Sequence, residues 1–144
     1  MIGGVAGGVH GSSYGTFDLD IVYARDRQNL ERLAVVLKSL DSTLRGAQSD
    51  LPFQLDAETL HAGDHSTFST NLGSLDIFGR PAGSPPYETL KAAATTIDVG
   101  GHPVRVASLD HLIAMKEAAG RTRDKLMATE YRVLADERRA PHSG

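Results

Sequence analysis

Cysteine is missing from this 144-residue chain. Without it there can be no disulfide and no thiolate metal site, and the omission fits the reducing cytoplasm. No apolar run approaches the roughly 18 residues of a membrane span, and no signal-peptide pattern opens the chain. A positive balance is lacking too. The net charge of −3 leaves no overall footprint for nucleic acid. What is present is ordinary for a globular protein, with 40% apolar and 23% charged residues. The length predicts one domain with a single core.

The most informative stretch runs from Gly3 to Ile21. Phe-Asp-Leu-Asp-Ile-Val-Tyr over 17–23 reads as a strand by its β-branched and aromatic content. Side chains alternate along a strand, so Asp18 and Asp20 share one face while Leu19 and Ile21 are expected in the core. Two neighbouring carboxylates repel unless a cation separates them, and Mg²⁺ takes oxygen ligands of this kind. Five glycines between Gly3 and Gly11 precede the pair. They predict a turn and a short helix whose backbone N–H groups face an anion. Ser12, Ser13 and Thr16 add hydroxyls beside it.

Residues 26–40 predict an amphipathic helix capped at Asp26, with Leu30, Leu33, Ala34, Leu37 and Leu40 on its core face. The stretch 43–63 reads as loop with one helical turn near 57–61. His61, Asp64 and His65 read as polar loop residues. Strands are expected over 66–71 and 74–78, with Asp76 sharing a face with Phe78, opposite Leu75 and Ile77. A short helix follows Pro85-Pro86, and 95–99 and 103–106 pair as a hairpin around Gly100-Gly101.

Ser108 predicts the cap of a further helix in which Leu109, Leu112, Ile113 and Lys116 share a stripe. A lysine there needs solvent, an acid or a phosphate for its head group. The next helix, opening at Thr122, turns Asp124 inward with Met127 and Tyr131, so Lys116 and Asp124 are expected to pair unless the lysine reaches a phosphate. Arg121, Arg123, Lys125, Arg132, Arg138 and Arg139 cluster near the end. A solvated helix face is the first reading and a phosphate-backbone contact the sharper one. The tail from Ala135 is expected to fray.

Ile2-Gly3-Gly4, thirteen further residues and then Asp18-Leu19-Asp20-Ile21 resemble the signature of the nucleotidyltransferase superfamily. Ser74-Leu75-Asp76-Ile77-Phe78 matches its third acidic strand. The segment from Leu112 to Asp124 resembles the Leu-Ile-x-x-Lys…Gly-Arg-x-x-Asp stretch of AbiEii/MenT-like nucleotidyltransferases, which act as toxins of bacterial toxin–antitoxin pairs. The resemblance covers most of the chain. It implies an α/β (α+β) nucleotidyltransferase fold, a mixed sheet flanked by helices. Residues 1–107 would form the catalytic sheet core and 108–140 a C-terminal helical pair. It also makes Met1-Ile2 the end of a first strand, so the start is expected to be late or the strand a stub.

The activity implied is transfer of a nucleotide from an NTP to a hydroxyl, at the 3′ end of tRNA in the toxin subgroup, with a cognate antitoxin as partner. Asp18, Asp20 and Asp76 would hold two Mg²⁺ ions, and Asp76 would take the acceptor proton. Gly4, Ser12 and Lys116 would bind the β- and γ-phosphates with Ser13 and Thr16 nearby. Arg121 or Arg123 would neutralise the leaving group, and Asp124 would orient Lys116. Small-molecule transfer, protein modification and an inactive binding module of the same fold are the competing readings.

Overall fold

A computed structural model describes residues 1–46 and 53–141. In chain order the elements are α1 (Gly3–Val9), β1 (Leu19–Val22), α2 (Arg27–Ser39), β2 (Thr43–Leu44), α3 (Ala57–Ala62), β3 (His65–Thr70), β4 (Gly73–Phe78), α4 (Tyr87–Ala92), β5 (Thr95–Val99), β6 (His102–Val106), α5 (Leu109–Ala119) and α6 (Thr122–Arg139). The architecture is mixed α/β. Four strands form one sheet in the order β1-β4-β3-β2, and β5-β6 stands apart as a hairpin. β1 runs parallel to β4, and β3 is antiparallel to both β4 and β2. A parallel pair needs a long crossover, which α2, β2, α3 and β3 supply.

Alternation along the strands sorts the core into two halves. Ile21, Tyr23, Leu75 and Ile77 face α2 and α3, where Leu30, Ala34, Leu37 and Leu60 close over them. Val22 and Phe78 face the other way, against residues of α1, α4, α5, α6 and β6. Asp20 and Asp76 have the parity of Val22 and Phe78 and therefore belong to this second face. Burial of a residue such as Leu37, with no exposed surface, stabilises the fold by about 1.5–3 kcal/mol.

The caps agree with the local chemistry. Asp26 accepts from the Asn29 N–H at 2.9 Å and Ser108 from the His111 N–H at 3.3 Å, each meeting an N–H that the helix leaves unpaired. The turn expected near 57–61 is α3, capped by Asp56 through the Thr59 N–H at 2.7 Å. The rest of the 43–63 reading falls partly on residues 47–52, outside the described residues.

Three expectations are corrected. Thr43 and Leu44, read as loop, pair with β3 as β2. Leu19 is 40% exposed rather than in the core. It is the first residue of β1, which forms an edge of the sheet. The tail does not fray at Ala135. Met127, Tyr131 and Ala135 continue one buried stripe at four-residue spacing, and α6 runs on to Arg139. Among the described residues, no helix is long and apolar enough to cross a membrane.

Candidate active site

The parallel register of β1 and β4 sets Leu19 beside Leu75, Asp20 beside Asp76 and Ile21 beside Ile77. Neighbouring strands lie about 4.8 Å apart, so two carboxylates in register on one face are forced together. Asp18 joins them from two residues upstream on β1's approach. The crowding has an electrostatic signature. Burial, then repulsion from Asp76 and Asp18, push the Asp20 carboxyl up to about 6 against the opposing pull of Lys116.

Gly3 is held at φ +70°, and a β-carbon there would overlap the Asp20 carboxylate. Only glycine lets the backbone approach the acid so closely. The two residues before it anchor the approach. The Ile2 N–H donates to the Asp20 carbonyl at 2.9 Å, and Met1 accepts from the Ala107 N–H at 3.0 Å. This short extended piece ties β1 to the end of β6.

Across the cleft stands the helical pair. The Lys116 ammonium donates to Asp124 Oδ1 at 3.2 Å, and Arg121 Nε to Asp124 Oδ2 at 2.7 Å. Asp124 is 2% exposed. Burial alone would raise its carboxyl, but the hydrogen bonds from Arg121 and Lys116 outweigh that and hold it below the ordinary carboxylate range. The expected Lys116–Asp124 pair is therefore present, with Arg121 as a second partner. Gly3, Asp20, Lys116, Arg121 and Asp124 line one cleft of about 220 Å³, walled by Phe78, Pro81, Leu112 and Met115.

One residue the sequence did not single out completes the cluster. Arg45, just beyond β2, reaches across β3 and pairs with Asp76, its other Nη lying 3.9 Å from Asp18. Its backbone N–H is fixed on the Thr67 carbonyl at 2.9 Å. Nothing local marks it, since the contact depends on strand order and spans 31 positions.

The remaining candidates lie elsewhere. Gly4 faces Thr16, and a β-carbon there would press on the Thr16 side chain. Thr16 accepts from the Asp18 N–H at 3.2 Å and so shapes the approach to the acids. Ser12 accepts from the Tyr14 N–H at 3.2 Å, whereas Ser13 is bound to Glu130 of α6 through its N–H at 2.6 Å. Neither serine lines the cleft, and of the three expected acids only Asp20 does, with Asp76 beside it in the sheet register.

The basic cluster is largely paired within the chain. Arg132 meets Glu117, Arg139 meets Asp110, Arg138 clamps His10 and Arg123 donates to the Gly15 carbonyl. Asp64 pairs with Arg25, whereas His65, read as a loop residue, opens β3 and stacks on Phe78 at 4.2 Å. His10, which the sequence left unremarked, is buried. Its Nε2 donates to the Ala107 carbonyl at 2.7 Å while Nδ1 accepts from Arg138 at 2.8 Å.

Among the described residues, no three His, Cys, Asp or Glu side chains are arranged to share one ion. Arg45 bridges Asp18 and Asp76 instead. The donor chemistry itself, Asp20 and Asp76 on one sheet face with Asp18 just before β1, is of the hard-oxygen kind that a divalent cation such as Mg²⁺ takes. Comparison of the sequence with protein-family models and with curated proteins finds no match.

Proposed function

We propose that the chain is a Mg²⁺-dependent nucleotidyltransferase. The observation carrying this reading is the in-register placement of Asp20 and Asp76 on β1 and β4, with Asp20 lining one cleft together with the Lys116–Asp124 pair. Carboxylates on one wall and cations on the other are what transfer of a charged phosphoryl group requires.

In the reaction an acceptor hydroxyl attacks the α-phosphorus of an NTP, the bond to the β-phosphate breaks and pyrophosphate leaves. Asp18, Asp20 and Asp76 would hold Mg²⁺, which would supply Lewis-acid stabilisation of the charge that develops in transfer. Asp76 accepts the hydroxyl proton. Lys116, held in place by Asp124, pairs with the phosphates, and Arg121 stands beside it at the cleft's rim. Gly3 leaves room for the Asp20 carboxylate where any side chain would intrude.

The finer reading, a tRNA 3′ end as acceptor for a toxin restrained by an antitoxin, rests on the resemblance of the Leu112–Asp124 segment. One surface feature supports a nucleic-acid acceptor. Phe17 is fully exposed next to Asp18, with Arg123 bound to Gly15 in the same loop. Aromatic faces beside cations bind single-stranded ends by stacking. Phe17→Ala is expected to raise KM for the acceptor about tenfold with little change in KM for the NTP.

The test is incubation with total tRNA, Mg²⁺ and each labelled NTP, with Asp20→Ala alongside. Label in tRNA with the wild type alone is the expected result. NTP binding without label in RNA moves the acceptor to a small molecule or a protein. Failure to bind any NTP removes the enzymatic reading.

A further inference from the structure

Arg45 has no part in the reaction as described, yet it pairs with two of the three acids of the carboxylate cluster. One Nη faces Asp76 and the other lies 3.9 Å from Asp18. Among the described residues, its Nε is buried without any partner. Among the described residues the head group is held by carboxylates alone, while the backbone is fixed separately on β3 through the Thr67 carbonyl at 2.9 Å. A long side chain anchored at its base and bound only at its tip can leave without disturbing the sheet.

The guanidinium on Asp76 Oδ1 takes up acceptor capacity and charge that a divalent cation would need, so the two compete for the same acid. Two cations at one carboxylate cluster also repel each other strongly at such separations. Removal of Arg45 from a metal-free cluster would in turn leave Asp18, Asp20 and Asp76 uncompensated, which is costly for acids this close together.

We propose that Arg45 is the built-in counter-cation of the carboxylate site. It pairs with Asp76 and Asp18 when no metal is bound, and it must vacate Asp76 for a divalent cation to enter, so that it sets the site's metal affinity. The inference rests on the metal-dependent reading of the cluster. It adds a competitor that belongs to the chain itself.

The test is titration of the metal-free protein with Mn²⁺, free ion being followed by its paramagnetic resonance signal. Wild type, Arg45→Met, Arg45→Lys and Asp76→Asn are compared. Arg45→Met is expected to bind Mn²⁺ about tenfold more tightly than wild type. Arg45→Lys, which keeps the charge, should stay near wild type, and Asp76→Asn should lose binding. Without metal, Arg45→Met should also melt at a lower temperature, and saturating Mn²⁺ should return more stability to it than to wild type.

Should Arg45→Met fail to fold, Arg45→Gln removes the charge while keeping a donor toward Asp76, and the same tightening is expected. Equal or weaker binding by the neutral variants, with wild-type binding still dependent on Asp76, overturns the inference and leaves the metal site standing. Absence of Mn²⁺ binding in wild type and in every Arg45 variant removes the metal reading and the inference with it.

Discussion

Asp20 shows how a single side chain at this site sets stability against function. Its carboxyl is raised from 3.8 to about 6, first by burial and then by Asp76 and Asp18. A group whose folded pKa exceeds its unfolded one contributes stability that is complete below the unfolded value. That contribution is lost as pH rises through the folded value. Metal-free wild type should therefore lose stability between about pH 4 and 6, and Asp20→Asn should lose less. At about 1.4 kcal/mol per pKa unit, and allowing for partial solvent contact, Asn is expected to stabilise the metal-free protein at pH 7 by on the order of 1–2 kcal/mol. It should abolish transfer. Thermal melts in chelator at pH 4, 5, 6 and 7 check this, and a variant that follows the wild-type profile throughout would refute it. The opposite case is Asp124, whose carboxyl is held down by Arg121 and Lys116 despite burial. Its stabilisation is present above the unfolded value of 3.8 and is lost as pH falls through the lower folded one. Asp124→Ala leaves Lys116 half-buried and unpaired, so it should cost about 2–3 kcal/mol at pH 7 and much less near pH 3. Denaturant melts at the two pH values measure the difference.

Elements were legible where their signals are local. The strand around Asp18 and Asp20, the Asp26 and Ser108 caps, the β5-β6 hairpin and the inward Lys116 all follow from spacing within one turn or one pleat. What escaped were relations between elements. Arg45 meets Asp76 only because β2 ends up two strands away from β4. Ser12 and Ser13 looked like site residues because they stand near Asp18 in sequence, yet Ser13 packs on α6, 117 positions from its partner Glu130. The glycines of α1 divide in the same manner. A β-carbon on Gly7 would overlap the hydroxyl of the fully buried Tyr131, whereas one on Gly8 would meet open space. Helix propensity alone favours alanine at both positions. Packing reverses the sign at one of them. Gly8→Ala is expected to stabilise by about 0.5–1 kcal/mol, and Gly7→Ala to destabilise by about 1–3 kcal/mol through overpacking. Equal shifts in the two variants' melting temperatures would show that α1 does not lie against Tyr131 as described.

At the scale of the molecule, the cleft draws one wall from the sheet and the other from the C-terminal helices, so it exists only when both are assembled. α6 binds the N-terminal segment through Glu130–Ser13 and Arg138–His10, and α5 packs on the core beneath Val22 and Phe78. A ligand spanning the cleft must therefore hold the two walls together and bind the folded state alone. For such a ligand at a hundred times its Kd, linkage gives about 2.7 kcal/mol of added stability. In a chain of this length each kcal/mol moves Tm by about 2–4 °C. Mg²⁺ with a non-hydrolysable NTP is thus expected to raise Tm by about 5–10 °C. Mg²⁺ alone should give a smaller rise, because the acids proposed to hold it, Asp18, Asp20 and Asp76, all come from the sheet side. Asp20→Asn and Lys116→Ala should each abolish most of the combined shift, one from either wall. A shift that survives Lys116→Ala unchanged would mean that the nucleotide binds the sheet side alone and that the Lys116–Asp124–Arg121 group serves folding rather than phosphate binding.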